Sequence, residues 1–248
     1  LDQVAVVSGS GQASYAEANK GTYSTYFFSN TLNYNKKIET NNSHEHNFVI
    51  TGSQQFNRSV STSSYTGGYN VPSNNIQVVS GIPQADLFGK SSYAADAMLS
   101  FMGQAQYDFD GKYLLYGSYR GDASSRFGDN SKWGYFPAVG AGWMVTDEKF
   151  MNKLKGKGTI SYLKFRASYG VSGTQSQDLY APYNSYYIPG TYNGGTAIQP
   201  SYNNGLTKNN LTWTKTTQKN IGVDAQFFNS RIGVSVDVYD KISKDDYY

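Results

Sequence analysis

Cysteine is absent from the 248-residue chain, which excludes disulfide scaffolds, thiolate metal sites and cysteine nucleophiles. Histidine occurs twice, at His44 and His46, and both lie in one turn. No Ser/His/Asp arrangement stands out, and no catalytic site is identified. Charged residues make up only 16% of the chain, against about 25% in an ordinary soluble domain. The net charge is +3, too small and unclustered to argue for a nucleic-acid partner. No apolar run approaches the roughly 18 residues of a transmembrane helix. That absence leaves a membrane barrel open, because a barrel strand needs only about 9–11 alternating residues. Leu1-Asp2-Gln3 lacks the basic start and apolar core of a signal peptide. With the pattern still running at Asp245–Tyr248, the chain is expected to be an excerpt of a longer protein.

What is abundant points to strands and turns. There are 23 Tyr, 13 Phe and 26 Gly, a mixture that suits antiparallel strands joined by tight turns. The clearest patterning runs from Asp108 to Val145. Tyr113, Leu115, Gly117 and Tyr119 alternate with Leu114, Tyr116, Ser118 and Arg120. Tyr135, Pro137, Val139, Ala141, Trp143 and Val145 alternate with Phe136, Ala138, Gly140, Gly142 and Met144. Period-two alternation with one apolar face and one small or polar face marks β-strands. It fits a soluble sandwich or a membrane barrel with lipid on the apolar side.

The same alternation recurs along the chain. It predicts a hairpin over about 22–58 turning at Glu39–Ser43, and strands at about 94–109, 112–120, 133–146 and 160–173. Further strands are expected at about 211–228 and from Ile232 onward, giving about eight in all. Residues 1–21 read as the tail of a surface loop. Asp110-Gly111 and Asn229-Ser230 read as tight turns. Thr146–Thr159 reads as a single helical turn capped by Thr146 or Asp147. Two long connections, 59–93 and 174–206, carry Ser, Gly, Asn and Tyr. Short turns on one side and long loops on the other is the outer-membrane barrel pattern. Runs of 14–18 residues, about 45–60 Å at ~3.3 Å per residue, exceed ordinary soluble strands.

Three stretches then resemble the SusC/RagA group of TonB-dependent outer-membrane transporters. They are KYLLYGSYRGDASSRFGDNSKWGYFPAVGAGW with DEKFM at 147–151, LKFRASYGVSGTQ at 163–175, and NNLTWTKTTQKNIGVDAQFFNSRIGVSVDVYDKISKD at 209–245. NTLNYNK at 30–36 agrees more weakly. The resemblance implies an all-β fold: an antiparallel transmembrane β-barrel segment belonging to a plugged barrel of about 22 strands. Residues 1–248 would be part of that barrel domain, without plug or terminal strands. The resemblance also implies the bacterial outer membrane and its lipid as surroundings. It implies a SusD-like surface lipoprotein and, through the missing plug region, TonB as partners. Oligosaccharides or peptides would be the imported ligands, with no enzyme activity and no cofactor.

Candidate site residues fall in two groups. Tyr180, Tyr183, Tyr186, Tyr187, Tyr192 and Tyr202 offer rigid amphipathic faces for sugar rings or peptide side chains. Arg120, Asp122, Ser124, Ser125, Arg126, Phe127, Gly128, Trp133, Phe136 and Pro137 form the hairpin the family shares. Polar turn residues usually bond local backbone, so this group is read chiefly as structural. Three weaker patterns are set aside. His44 and His46 share a face but lack a third metal ligand, since Glu45 faces the other way. Asp108-x-Asp110-Gly111 lacks the later glutamate of a calcium loop, and Gly89-Lys90-Ser91 lacks the upstream glycine of a phosphate loop. Two rival readings stay open: a self-contained eight-stranded barrel with a structural or adhesive role, and a soluble β-sandwich carbohydrate-binding module.

Overall fold

The computed structural model describes residues 3–7, 15–40, 44–72, 78–156, 159–177, 179–180, 186–192, 195–200 and 211–244. Among the described residues eleven strands form two sheets. They are β1 (Gln3–Val7), β2 (Tyr15–Glu39), β3 (Glu45–Tyr69), β4 (Leu87–Phe109), β5 (Tyr113–Ser124) and β6 (Trp133–Met144), then β7 (Ile160–Thr174), β8 (Tyr186–Tyr192), β9 (Gly195–Pro200), β10 (Thr214–Phe227) and β11 (Ile232–Lys244). The main sheet has nine strands in the order β1-β2-β3-β4-β5-β6-β7-β10-β11, and β8 pairs with β9 in a second, two-stranded sheet. Neighbours in the main sheet are mostly neighbours in sequence, which is how an up-and-down antiparallel meander forms from short turns.

Two compact units emerge: residues 1–27 with 57–97, and residues 28–56 with 98–248. The first unit has a small core of Ala16, Val71 and Ile82, with Val79 and Leu87 against it. Beside it Tyr15 stacks with Phe88 and meets Tyr69 at a tilt, and the Tyr15 and Tyr65 hydroxyls both donate to Glu17 Oε2, at 2.7 and 3.0 Å. The second unit holds β5, β6, β7, β10 and β11, and its core is Phe127, Phe136, Leu211 and Trp213.

The structure corrects several boundaries. β3 runs to Tyr69 and β4 begins at Leu87, so the expected loop 59–93 shrinks to about 70–86. Residues 1–21 contain β1 and the start of β2 rather than a loop tail, with Gln3 paired to Asn19 and Val7 to Tyr15. These stretches are rich in Ser, Thr, Gly and Asn. With little apolar alternation to read, their ladders are held by backbone hydrogen bonds instead. Gly89-Lys90-Ser91 lies inside β4. Within 174–206, β8 and β9 make a hairpin where a loop was expected.

The turns follow from residue type. Asp110 (φ 55°) and Gly111 (φ 69°) are both left-handed, the signature of a type I′ hairpin turn. Lys112 N–H closes it onto Phe109 O at 2.9 Å, and Asp108 Oδ1 accepts from Gly111 N at 2.6 Å. The expected helical turn after β6 is instead two 3-10 turns, Val145–Asp147 and Lys149–Met151, followed by the short helix α1 (Asn152–Gly156). Neither Thr146 nor Asp147 caps a helix. Thr146 is buried and its Oγ1 accepts from Leu163 N at 3.4 Å, tying this segment to β7.

Candidate functional site

Strand register carries the alternation seen along the chain sideways across the second unit. Tyr113 pairs with Trp143, and Trp143 with Phe165. Gly117 pairs with Val139, and Val139 with Tyr169. Ile221 pairs with Ala167 and with Val238. These residues share one face, and its large apolar members stand open: Val139 is 56% exposed, Ile221 66% and Val238 71%. A contiguous bare surface of this kind marks a contact with lipid or protein rather than with water.

Aromatic rings border that face at two levels. Near the short turns, Trp143 lies 6.3 Å from Phe165, Phe109 6.1 Å from Tyr113, His46 5.0 Å from Phe109, and Phe48 4.8 Å from Tyr107. Toward the long connections, Phe101 stacks with Trp133, Trp133 with Tyr135, and Tyr135 with Tyr119. Trp133 and Trp143 sit ten positions apart on β6, a rise of about 33 Å at ~3.3 Å per residue. Tilted by about 35–45°, that span becomes roughly 25 Å, the height of the apolar band of an outer-membrane barrel. Between the levels, small residues such as Ala105, Gly117, Ala141 and Ala167 leave an open groove of about 890 Å³ in the apolar surface.

The short-turn level is fastened by polar contacts. Glu148 Oε1 accepts from Tyr113 Oη at 2.5 Å and from Trp143 Nε1 at 3.1 Å. The Tyr113 hydroxyl, then the Trp143 indole, holds the Glu148 carboxyl below its ordinary value. His44 Nδ1 meets Asp110 Oδ2 at 2.6 Å, and Glu45 N–H donates to Asp110 Oδ1 at 2.6 Å. That backbone donor, with His44 beside it, lowers the Asp110 carboxyl. His46 Nδ1 lies 2.9 Å from the Tyr107 hydroxyl. Each histidine thus has a partner in the β4–β5 hairpin.

The opposite face is polar and low-relief. Arg166 on β7 lies over Gly222 on β10 and reaches two carboxylates. Its Nε and one terminal nitrogen bind Asp224 at 2.9 and 3.3 Å, and the same terminal nitrogen binds Asp237 Oδ2 at 2.6 Å. Ser235 Oγ donates to Asp224 Oδ1 at 2.6 Å, and Asn220 Nδ2 donates to Asp237 Oδ1 at 3.1 Å. A Cβ on Gly222 would stand 2.7 Å from Arg166 Cζ, so only glycine lets the guanidinium lie flat across three strands. Arg166 is one-third exposed, so the network presents charge to the space on this side.

The family-like hairpin lies at the long-connection end of this polar face. Arg120 Nε donates to both oxygens of buried Asp122 at 2.9 Å, and its terminal nitrogen reaches Ser100 Oγ at 3.1 Å. Ser124 is buried and donates to Gln175 Oε1 at 2.9 Å, while its Oγ accepts from Arg126 N at 3.2 Å. Arg126 reaches the carbonyls of Ser176 and Gln177 at 2.9 and 3.3 Å. Phe127 is fully buried, 5.0 Å from Trp213, and Phe136 meets Trp213 edge-on at 5.4 Å. Ser131 N–H closes the loop onto Gly128 O at 3.0 Å, and Ser125 in the same loop is half-buried. Trp133 and Pro137 instead join the apolar face, with Pro137 opposite Tyr119. The hairpin, the end of β7 and residues 211–213 therefore close on one another. Trp213, Leu211 and Gln175 belong to this junction, yet no sequence spacing links them to the hairpin.

Of the six tyrosines, Tyr180 is half-exposed. Tyr186, Tyr187 and Tyr192 lie in β8, with Tyr186 opposite Pro200 and Tyr192 opposite Gly195. Their side chains, and residues Tyr183 and Tyr202, lie outside the described residues.

Known proteins share this wall. The family described as TonB dependent receptor-like, beta-barrel matches residues 3–248. The TonB-dependent receptor P39 of Formosa agariphila is 39% identical over 152 residues, which is 60% of this chain and 14% of that protein. The TonB-dependent receptor SusC of Bacteroides thetaiotaomicron is 33% identical over 165 residues, 62% of this chain and 16% of that protein. This chain thus matches only about a seventh of the length of such relatives. Among solved structures, the RagAB peptide transporter superposes with a TM-score of 0.83 at 23% identity, over 94% of this chain and 25% of that one. At that identity the likeness is one of fold, and this chain corresponds to about a quarter of that one.

Proposed function

The chain belongs to the family of TonB-dependent receptor-like β-barrels, which lie in the outer membrane, and from this membership we propose that it forms part of the wall of a SusC/RagA-type importer. One observation carries the reading. The sheet has an apolar face bordered by two aromatic levels about one bilayer apart, and a polar face of small residues around the Arg166 network. The first face meets lipid and the second lines a lumen wide enough for large nutrients. Oligosaccharides or peptides are the ligand classes that tyrosine-rich loops suit, through ring stacking and hydroxyl hydrogen bonds.

In this reading the long connections, near 70–86 and 175–213, face the cell exterior. Tyr180 and the β8–β9 hairpin contribute to capture. A SusD-like surface lipoprotein works above them, and TonB acts through a plug that lies elsewhere in the whole protein. No residue described here is assigned to energy coupling. The RagAB structure is that of a peptide transporter, which makes peptides the first ligands to try.

The test is uptake by cells carrying the full-length protein. Fluorescent oligopeptides and oligosaccharides are supplied to wild type and to a variant with Tyr180, Tyr186, Tyr187 and Tyr192 changed to Ala. The reading expects uptake of one class, abolished with the inner-membrane energy source and reduced at least several-fold in the variant. Uptake of neither class, with the barrel correctly inserted, overturns the import reading. Unchanged uptake in the variant removes the tyrosines from recognition.

A further inference from the structure

The apolar face ends in lysines where β10 and β11 approach the long connections. Along β10 this face reads Ala225, Val223, Ile221, then Lys219, Thr217 and Lys215. Along β11 it reads Ile232, Val234, Val236, Val238, then Asp240, Ile242 and Lys244. The register sets Lys215 directly opposite Lys244, and Lys219 opposite Asp240 and beside Tyr169 of β7. All three lysines are exposed, and none makes an ion pair or hydrogen bond among the described residues. Like charges directly opposite one another across a ladder are destabilising. Lys215 and Lys244 sit above an apolar run that includes Ile221, 66% exposed, and Val238, 71% exposed. Their stems can lie along that surface and carry the ammonium groups to headgroup height.

We propose that Lys215, Lys244 and Lys219 form a binding site for the phosphate of an outer-leaflet glycolipid whose acyl chains lie on the apolar face below. An anion between Lys215 and Lys244 converts their repulsion into two charge-assisted hydrogen bonds. Tyr169 supplies the amphipathic ring that suits this depth. Ile221 and Val238 give the chains bare surface. Charge complementarity selects a phosphorylated lipid over a neutral one, and the adjoining apolar face selects a lipid over free phosphate. The site is separate from the lumen, and it rests on the reading that the long connections face the exterior.

The full-length protein is extracted in mild detergent and placed in nanodiscs of phosphatidylethanolamine with bisphosphorylated lipid A or with its fully dephosphorylated form. Bound lipid is counted by native mass spectrometry, for wild type and for a K215Q/K219Q/K244Q variant. Wild type should retain the phosphorylated lipid in preference to the dephosphorylated one. Each lysine removed should weaken retention about fivefold, and raised salt should weaken it further. A control variant, K36Q/K112Q, alters lysines remote from the site and should retain lipid as wild type does. Equal retention of both lipids, or no loss in the triple variant, overturns the proposal. So does equal loss in the control. Labelling of a K244C variant in intact cells checks the orientation separately. If label enters only after the outer membrane is opened, the exterior reading has failed, and the proposal with it. If label enters intact cells but retention is indifferent to the lysines, only the lipid site has failed.

Discussion

Trp213 donates its indole N–H to the carbonyl of Lys132 at 3.1 Å, bridging 81 residues of sequence. The ring packs on Phe127 and Phe136, and the space it needs comes from glycine. A Cβ on Gly134 would stand 2.8 Å from the Trp213 ring, and one on Gly173 would stand 2.0 Å from Phe136 Cζ. Trp213→Ala should therefore destabilise the barrel by about 3–5 kcal/mol, the usual range for a buried aromatic. Gly134→Ala and Gly173→Ala should cost about 1–3 kcal/mol each by overpacking. Urea unfolding in detergent micelles measures all three. Equal midpoints for Gly173→Ala and wild type would mean that Phe136 has room to turn away.

The Glu148 contacts carry a pH dependence with a definite sign. Tyr113 and Trp143 hold the Glu148 carboxyl below its ordinary value. A lowered folded-state value means that the ionised form is favoured by folding. Its stabilisation is complete above the unfolded carboxylate value, about 4.3. It fades as pH falls through the folded value. Glu148→Gln should flatten that part of the acid-stability curve and leave the profile near neutral pH parallel to wild type. Thermal melts of the two proteins between mildly and strongly acidic pH measure the difference.

The parts of this structure readable from sequence are those where solvent and lipid impose a contrast. β5, β6, β7, β10 and β11 each alternate apolar with small or polar residue types, so Leu115, Val139, Phe165, Ile221 and Val236 announce their face. The same holds for Asp110-Gly111, where turn geometry demands residues that tolerate positive φ. The outer reaches of β2 and β3 show no such contrast: Ser59, Ser61 and Ser63 alternate with Val60, Thr62 and Ser64. A strand polar on both faces is held by its ladder, and composition alone reads it as loop. The junction around Trp213 was hidden for another reason. Its three stretches resemble one family, but nothing in their spacing tells that Ser124 reaches Gln175 or that Trp213 reaches Lys132. The segment after β6 resisted because Thr146 bonds to β7 rather than capping a helix.

Arg166 sits between two carboxylates at partly exposed positions, so its contribution is bounded. The pair with Asp224 is bidentate, yet both side chains are about one-third exposed. A double-mutant cycle with Arg166→Gln and Asp224→Asn should give a coupling of no more than about 1 kcal/mol. Raising the salt concentration should reduce it further. Gly222→Ala, whose new methyl would stand 2.7 Å from both Arg166 Cζ and Asp237 Oδ1, should displace these flexible side-chain ends and so cost no more than loss of the ion pairs. Comparison of unfolding midpoints for these five proteins, the four of the cycle and Gly222→Ala, separates the charge term from the packing term.

The β10–β11 turn holds three consecutive non-glycine residues at positive φ: Phe228 at 55°, Asn229 at 55° and Ser230 at 63°. Asparagine tolerates this region, but phenylalanine and serine do so at a cost of about 1–2 kcal/mol each. Backbone contacts keep them there. Phe228 N–H donates to Thr159 O at 3.3 Å, Ser230 N–H to Ser161 Oγ at 3.1 Å, and Arg231 N–H to Phe228 O at 3.4 Å. None of these involves the Ser230 side chain. Ser230→Gly should therefore keep every one of them and relieve the strain, offset in part by the greater freedom of glycine in the unfolded chain. The net expectation is a gain of up to about 1 kcal/mol. Ser230→Val, which adds a β-branched side chain at the same φ, should lose stability by a comparable amount. Opposite shifts of the two variants in one unfolding series would locate the strain at this backbone position, whereas parallel losses would show that the Ser230 hydroxyl itself is needed.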